Sequence, residues 1–323
     1  MSINWLIILT RLNFLEGSRS KILDSQQIIL SVSVIIYSIL ASFMTGAEAA
    51  SLKSLKLFVL AGQSNMVGYR SDITELPDEL REPQSGVWWY NQSNDWEILA
   101  APTEPLPSTN WLPNGVGFGP EISLGRELQA IIGEPVALVK YAANGTKLAT
   151  DWNPDNPEPN SLYNSMLARV ESAIAVLPPP YLTVEIAGFF WMQGEGDATE
   201  KTFADNYQAN LTNFIAQVRN DFNNPNLPFV IGQISNLPPR FPYTSQVQAA
   251  QFQVSKTVPY TGIVETTTLS QNSDEVHFDS QGLIDLGYLF AEEWSSIPEP
   301  AKSVPLIIAA LIVPCLSNKK INK

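Results

Sequence analysis

The chain has 323 residues, a formal net charge of −13, one cysteine and one histidine. The length predicts a single α/β domain with terminal segments, and the acidic charge argues against binding to DNA, RNA or an anionic membrane, which needs clustered Lys and Arg. The lone Cys315 excludes an intramolecular disulfide and a thiolate-ligated structural metal, and the lone His277 excludes multi-histidine zinc sites. We expect no cofactor and no catalytic metal, while an oxygen-ligated calcium stays open.

The first predicted element is an export signal over residues 1–49. Basic residues precede an apolar stretch at residues 28–44, and an A-x-A cleavage pattern follows at residues 47–49. We predict cleavage after Ala49. The apolar stretch is near the lower length limit for a membrane span, so an uncleaved anchor is the alternative.

Residues 50–297 form the predicted domain, in which apolar strand-like runs alternate with amphipathic helical patterns. The strand-like runs are residues 55–61, 135–141, 185–192, 229–234 and 262–265. Helices are predicted over residues 162–177 and 203–222, and Pro120 opens a third one. The alternation predicts a three-layer α/β/α fold with a parallel sheet of about five strands, and a ligand site at their carboxyl ends. We expect residues 71–119 and 151–160 to form loops around that site.

A serine hydrolase site is predicted from three residues. Ser64 follows the first predicted strand, His277 is the only imidazole able to take its proton, and Asp274 is close enough in sequence to orient that ring. The order Ser, Asp, His is that of α/β-hydrolases, but Met66 replaces the last glycine of their G-x-S-x-G turn. A different hydrolase fold is therefore indicated. If each residue is considered alone, the alternative interpretations are a helix N-cap for Ser64 and an ordinary loop histidine for His277.

Acyl transfer also needs hydrogen-bond donors for the developing oxyanion. Gly145 follows the second strand, where a glycine lets its N–H approach a ligand, and the side-chain amide of Gln193 follows the third. A turn glycine and a strand-end glutamine bonded to backbone are the alternative interpretations.

Four sequence blocks together resemble the SGNH hydrolase superfamily. Within it they most resemble the sialate O-acetylesterase and acetylxylan esterase group, carbohydrate esterase family 6, over residues 55–294. The resemblance implies a flavodoxin-like α/β/α fold and metal-free deacetylation of sugar esters. The blocks are residues 62–66 (GQSNM), 144–146 (NGT), 191–195 (WMQGE) and 274–278 (DEVHF).

By position, the resemblance implies that Ser64 is the nucleophile, His277 the base and Asp274 its orienting partner. It also implies an oxyanion hole formed by the N–H groups of Ser64 and Gly145 and by the Gln193 side chain. Two departures leave the exact donor open. Asparagine often stands where this chain has Gln193, and the usual Gly-Gly-Thr block begins with asparagine here. The glycine-rich run at residues 115–119 is an alternative donor.

Further residues are expected to support the site or to bind substrate. Asn144 and Glu195 are assigned supporting roles, although Glu195 and Asp197 also offer a carboxylate pair for glycoside hydrolysis. Gln63, Asn65 and Trp152 are predicted substrate contacts, since tryptophan can stack on sugar rings. Packing in the core is the alternative for Trp152.

The last predicted element is a C-terminal tail, residues 298–323. Pro-Glu-Pro at residues 298–300, an apolar segment and a basic end resemble the PEP-CTERM sorting signal of some Gram-negative bacteria. The resemblance implies transient membrane retention, processing by sorting machinery, and a periplasmic, cell-surface or secreted location. A frayed apolar tail is the alternative.

The leading interpretation is an exported serine esterase that removes O-acetyl groups from carbohydrate. The expected partner is an acetylated carbohydrate, either acetylxylan or a sialate-type ester, and not nucleic acid. An SGNH lipase or thioesterase is the enzymatic alternative, and it would need an apolar groove for the acyl chain. A catalytically silent carbohydrate-binding protein at the cell surface is the alternative from another class.

Overall fold

The computed structural model describes residues 53–103 and 117–298. The predicted signal peptide at residues 1–49 lies outside these ranges, as does all but the first residue of the predicted sorting tail at residues 298–323. Within the described ranges, no helix is long and apolar enough to cross a membrane.

One seven-stranded sheet forms the centre of the described fold. Its strands are β1 (Ser54–Gly62), β2 (Val87–Tyr90), β3 (Trp96–Ile98), β4 (Val136–Ala142), β5 (Thr183–Met192), β6 (Phe229–Gly232) and β7 (Thr261–Val264). They lie in the order β3-β2-β4-β1-β5-β6-β7, and all neighbours are parallel except β2 and β3. The five predicted strands are β1, β4, β5, β6 and β7. Their order corresponds to the flavodoxin-like order 2-1-3-4-5, so the fold prediction is confirmed.

The predicted count of about five strands is too low by two. Strands β2 and β3 form an antiparallel pair inside residues 71–119, which the sequence analysis interpreted as loop. Their aromatic residues suit a strand, and the Tyr90 and Trp96 rings lie 5.1 Å apart across the pair. The strands have only four and three residues, which is too short for a recognisable apolar run.

Helices cover both faces of the sheet. Within the described ranges they are α1 (Ser64–Val67), α2 (Asp78–Arg81), α3 (Glu121–Ile132), α4 (Leu162–Ala175), α5 (Lys201–Asp221), α6 (Thr244–Thr257) and α7 (Ser280–Ser296). The three predicted helices correspond to α3, α4 and α5, and Pro120 is the residue before α3.

The alternation of side chains along β5 explains the three layers. Phe189 and Trp191 point to one face, where their rings lie 5.9 and 4.4 Å from the ring of Phe214 on α5. Phe190 points to the other face and packs at 5.4 Å against Phe290 on α7. All five rings are buried. Because successive strand residues face opposite sides, this apolar run needs a helix layer on each.

Candidate active site

Ser64 lies at the carboxyl end of the central strand. Gly62 ends β1 with φ +148°, and a Cβ there would lie 2.1 Å from the Met192 carbonyl oxygen at the end of β5. A glycine is therefore required for this close approach. The Gln63 N–H donates to the same carbonyl at 2.8 Å, and α1 begins at the next residue. Strand β1 has β4 on one side and β5 on the other, so Ser64 lies where the strand order reverses, which is the usual ligand position in such sheets.

The structure brings together Ser64, His277 and Asp274. The Ser64 Oγ lies 3.0 Å from His277 Nε2, although the two residues are 213 positions apart. The other ring nitrogen, His277 Nδ1, lies 2.7 Å from Asp274 Oδ2. The second oxygen of Asp274 accepts the backbone N–H groups of Val276 and His277, each at 3.0 Å. This is the geometry in which a serine hydroxyl can pass its proton to an oriented imidazole.

The electrostatics keep the acid ionised and the imidazole neutral. Partial burial raises the pKa of Asp274, but hydrogen bonds from the His277 ring and from two backbone N–H groups outweigh it and bring that pKa to about 2. Burial lowers the pKa of His277 below its usual value, and Asp274 acts in the opposite direction. At neutral pH the ring can therefore accept a proton.

Asn65 joins the serine turn to the histidine loop. Its side-chain nitrogen donates to Glu195 Oε1 at 2.7 Å and to the Val276 carbonyl at 3.1 Å, and its oxygen accepts the Phe278 N–H at 2.9 Å. These backbone groups flank His277 on both sides. Asn65 is buried and does not line the cleft, so the structure does not bring it to the predicted substrate contact. Asn65 positions the base instead.

Gln193 lies beneath the site, not in it. Its side-chain nitrogen faces three acceptors, namely Asp197 Oδ2 at 2.7 Å, the Thr146 carbonyl at 3.0 Å and Gln63 Oε1 at 3.2 Å. Its oxygen accepts from the Tyr207 hydroxyl. An amide nitrogen has two hydrogens, and none is left for an oxyanion. The structure therefore does not bring the Gln193 amide to the predicted oxyanion hole, and the residue ties together the ends of β1, β4 and β5.

The turn after β4 presents Gly145 to the cleft. Gly145 has φ +68°, and no atom lies within 4 Å of where a Cβ would stand. Asn144 lines the same cleft. Asp197 fixes the chain beyond this turn, because its carboxylate accepts the N–H groups of Leu148 at 2.8 Å and Ala149 at 3.1 Å. The predicted donor position is thus held from below by a buried carboxylate.

Trp152 is a core residue. Its side chain is fully buried, and its Nε1 donates to Thr146 Oγ1 at 2.9 Å. The ring packs edge-on against Trp191 at 5.2 Å. A ring enclosed in this way has no free face for a sugar, so the predicted substrate contact is wrong. Trp152 supports the turn that carries Gly145.

A buried ion pair lies under α1. Lys140 Nζ is 2.7 Å from Glu121 Oε2 and 3.3 Å from the Val67 carbonyl. Burial lowers the pKa of Lys140, and the charge of Glu121 acts against this. The Gly119 N–H donates to Glu121 Oε1 at 2.8 Å, and Gly119 does not line the cleft. Gly119, which belongs to the alternative donor run at residues 115–119, therefore has its N–H occupied within the fold.

Glu195 is a supporting residue and Asp197 is a scaffold residue. Glu195 is 1% exposed, and burial raises its pKa to about 7 even though Asn65 donates to it. Both oxygens of the fully buried Asp197 accept hydrogen bonds within the fold. The alternative of a carboxylate pair for glycoside hydrolysis therefore fails. In the described part of the chain, no cluster of three or more His, Cys, Asp or Glu could hold a metal ion.

A cleft of about 560 Å³ opens above Ser64 and His277. Several of its lining residues were not predicted, because loop cations and aromatics have no periodic pattern. Their only sequence signal is position, since Tyr69 follows α1 and Arg240 and Phe241 follow β6. The lining residues are Gln63, Ser64, Tyr69, Asn144, Gly145, Lys147, Glu195, Gly196, Thr199, Arg240, Phe241, Val276 and His277.

The only histidine of the chain allows a direct test of this geometry. We expect the imidazole of His277 to titrate below its usual pKa, because burial disfavours the cation. Asp274→Asn should lower that pKa further, since it removes the negative charge that stabilises the cation. One-dimensional and ¹⁵N NMR titrations would measure both values, and a higher pKa in Asp274→Asn would contradict the geometry.

The comparisons find two similar proteins, one of which is matched both by its sequence and by its structure. A curated protein from Arabidopsis thaliana named "Probable carbohydrate esterase" is 26% identical over 261 residues, which cover 75% of this chain and 90% of that protein. A crystal structure from Arabidopsis thaliana superposes with a TM-score of 0.62 at 22% identity, covering 76% of this chain and 100% of the other. The structure of a carbohydrate acetylesterase from Xanthomonas citri superposes with a TM-score of 0.55 at 18% identity. The match covers 75% of this chain and 56% of the other. At these identities, the two structures show a shared fold alone.

The family assignment rests on the match to a family model. The SASA family, described as "Carbohydrate esterase, sialic acid-specific acetylesterase", matches residues 54–296. That match spans the whole described sheet and every residue of the candidate site. This chain therefore belongs to the SASA family of carbohydrate esterases.

Proposed function

We propose that this protein is a serine esterase that removes O-acetyl groups from carbohydrate through an acetyl-serine intermediate. The observation that carries the proposal is the 3.0 Å contact between Ser64 Oγ and His277 Nε2 at the base of an open cleft. Asp274 orients the ring from its other side. The membership of a carbohydrate esterase family supports a sugar ester as substrate.

The geometry suggests how the proton moves in each half of the reaction. His277 Nε2 takes the Ser64 proton as Oγ forms a bond to the acetyl carbon. The resulting imidazolium then gives that proton to the sugar oxygen as the ester bond breaks. In the second half, His277 takes a proton from water, which attacks the acetyl-serine and releases acetate. The Ser64 oxygen recovers its proton from the imidazolium.

Two backbone N–H groups are the proposed oxyanion donors. Ser64 is the first residue of α1, and the first N–H groups of a helix have no acceptor within the helix. Gly145 lines the cleft beside it. The side-chain nitrogen of Gln193 faces acceptors within the fold, which supports assigning the oxyanion to these two backbone groups.

The proposed acetyl-serine intermediate predicts how turnover depends on acyl-chain length and on Ser64. We expect acetate release from 4-nitrophenyl acetate and from acetylated sugars, with slower turnover of butyrate and octanoate esters. Ser64→Ala should lower kcat by about 10³-fold or more, because no other nucleophile replaces the hydroxyl. Ser255→Ala is the matched control, since this half-buried serine of α6 donates to the Phe252 carbonyl and does not line the cleft. A preference for octanoate would favour the lipase, and no turnover by folded protein would favour the binding protein.

The charges in the cleft favour a sialate-type substrate over acetylxylan. Lys147 and Arg240 line the cleft, and within the described residues neither forms an ion pair with a carboxylate. These two cations outnumber Glu195, the one carboxylate among the described residues that line the same cleft, whereas the chain as a whole has a net charge of −13, so the sign of the charge is locally reversed. Such a reversal attracts an anionic ligand, and a sialate carries a carboxylate whereas unsubstituted xylan does not.

Lys147→Gln tests this preference. We expect the KM for an O-acetylated sialic acid to rise roughly threefold, the range of an exposed ion pair, with little change for acetylated xylan. Steady-state kinetics on both substrates measure the difference. Lys201→Gln is the control, because Lys201 is an exposed cation paired with Asp205 outside the cleft. Equal changes for the two substrates would contradict a role for Lys147 in charge recognition.

A further inference from the structure

Arg70 has an unusual backbone conformation next to the serine helix. Helix α1 ends at Val67, Gly68 caps it, and Arg70 follows with φ +66°. A side chain in this left-handed region is strained, and such strain is retained where the surrounding contacts enforce it. In Arg70 the conformation turns the guanidinium toward the histidine loop.

The Arg70 side chain completes the hydrogen bonds of Asp274. Its Nη1 donates at 3.0 Å to Asp274 Oδ2, the same oxygen that lies 2.7 Å from His277 Nδ1. The other oxygen is taken by the backbone N–H groups of Val276 and His277. Asp274 therefore has no freedom to rotate away from the imidazole while Arg70 is in place.

Arg70 also packs against the aromatic group beside the base. Its guanidinium carbon lies 5.3 Å from the centre of the Tyr69 ring. The Tyr69 ring in turn lies 4.4 Å from the His277 ring. Residues 69 and 70 thus contact both the face of the imidazole and its acidic partner.

We infer that Arg70 is a positioning residue that holds Asp274, and through it His277, in the arrangement needed for the proposed ester hydrolysis. The inference rests on the proposed function for its kinetic part only. The charged groups facing His277 are Asp274 on its own loop, Arg70 after α1, and Arg240, which donates to the Asp274 carbonyl at 3.0 Å. Burial has the largest effect and lowers the pKa of His277, Asp274 acts in the opposite direction, and the two arginines lower that pKa further.

Three substitutions at Arg70 separate its side chain from its backbone strain. Arg70→Gln removes the charge, Arg70→Lys keeps the charge but loses the planar group, and Arg70→Gly removes the side chain while accepting the left-handed φ without strain. Arg81→Gln is the matched control, because Arg81 pairs with Asp78 at the same 3.0 Å and is similarly exposed, at 47% against 42%.

We expect Arg70→Gln and Arg70→Gly to lower kcat about tenfold, with KM changing less than twofold, as for other groups that orient a reacting residue. The NMR pKa of His277 should fall in both, because Asp274 raises that pKa by more than the charge of Arg70 lowers it and is no longer held against the ring. In Arg70→Lys it should stay near the wild-type value. The Tm of Arg70→Gly should equal or exceed that of wild type, because the strain is relieved. Loss of activity with a gain in stability would not arise from a merely structural arginine.

Two results would overturn the inference. One is a His277 pKa that does not fall, together with an unchanged kcat, in Arg70→Gln and Arg70→Gly. The other is a fall in activity that follows Tm and is matched by Arg81→Gln. If the wild-type protein hydrolyses no ester, the proposed function fails, but the His277 titration still decides whether Arg70 acts on that ring.

Discussion

The side-chain amide of Asn65 is the contact on which the rest of the site depends. It lies next to Ser64 in sequence and binds the backbone groups on both sides of His277. The serine turn and the histidine loop are more than 200 residues apart, so their separation is fixed by this link and not by the local chain. Because the amide is buried, breaking one of its bonds would leave an unsatisfied group that costs about 1–3 kcal/mol. Glu195 fixes the orientation of the amide by accepting its other hydrogen.

The remaining polar residues at the strand ends form a second support under the cleft. Gln193 links β1, β4 and β5, Asp197 holds the backbone after the Gly145 turn, and Trp152 bonds Thr146 within it. Buried polar groups need partners inside the fold, so the most deeply buried residues of the sequence blocks serve the scaffold. The residues left to meet a substrate are the backbone donors and the loop side chains around the cleft. Residues that face the cleft and residues that support them are therefore neighbours in the sequence, as Ser64 and Asn65 are.

The apolar runs were sufficient to predict the five consecutive parallel strands β4, β1, β5, β6 and β7, because a parallel sheet buried on both faces leaves a continuous apolar signal. The β2–β3 hairpin was missed because strands of four and three residues are too short to show a periodic pattern of apolar residues. Ser64, Asp274 and His277 could be predicted because the chain has one imidazole and each residue lies within a recognisable block. The orientation of Gln193 and the burial of Trp152 could not, since both depend on side chains from distant segments. Arg70 was missed for the same reason, because its partner Asp274 is 204 residues away.

Trapping the acyl-enzyme tests the central claim most directly. The protein would be mixed rapidly with 4-nitrophenyl acetate, quenched in acid within the first turnovers, digested and analysed by mass spectrometry. We expect one added acetyl group on the peptide that contains Ser64, localised to that residue by fragmentation, and none in Ser64→Ala. Acetate release by the wild-type protein with the acetyl group on another residue, or undiminished release by Ser64→Ala, would contradict the account.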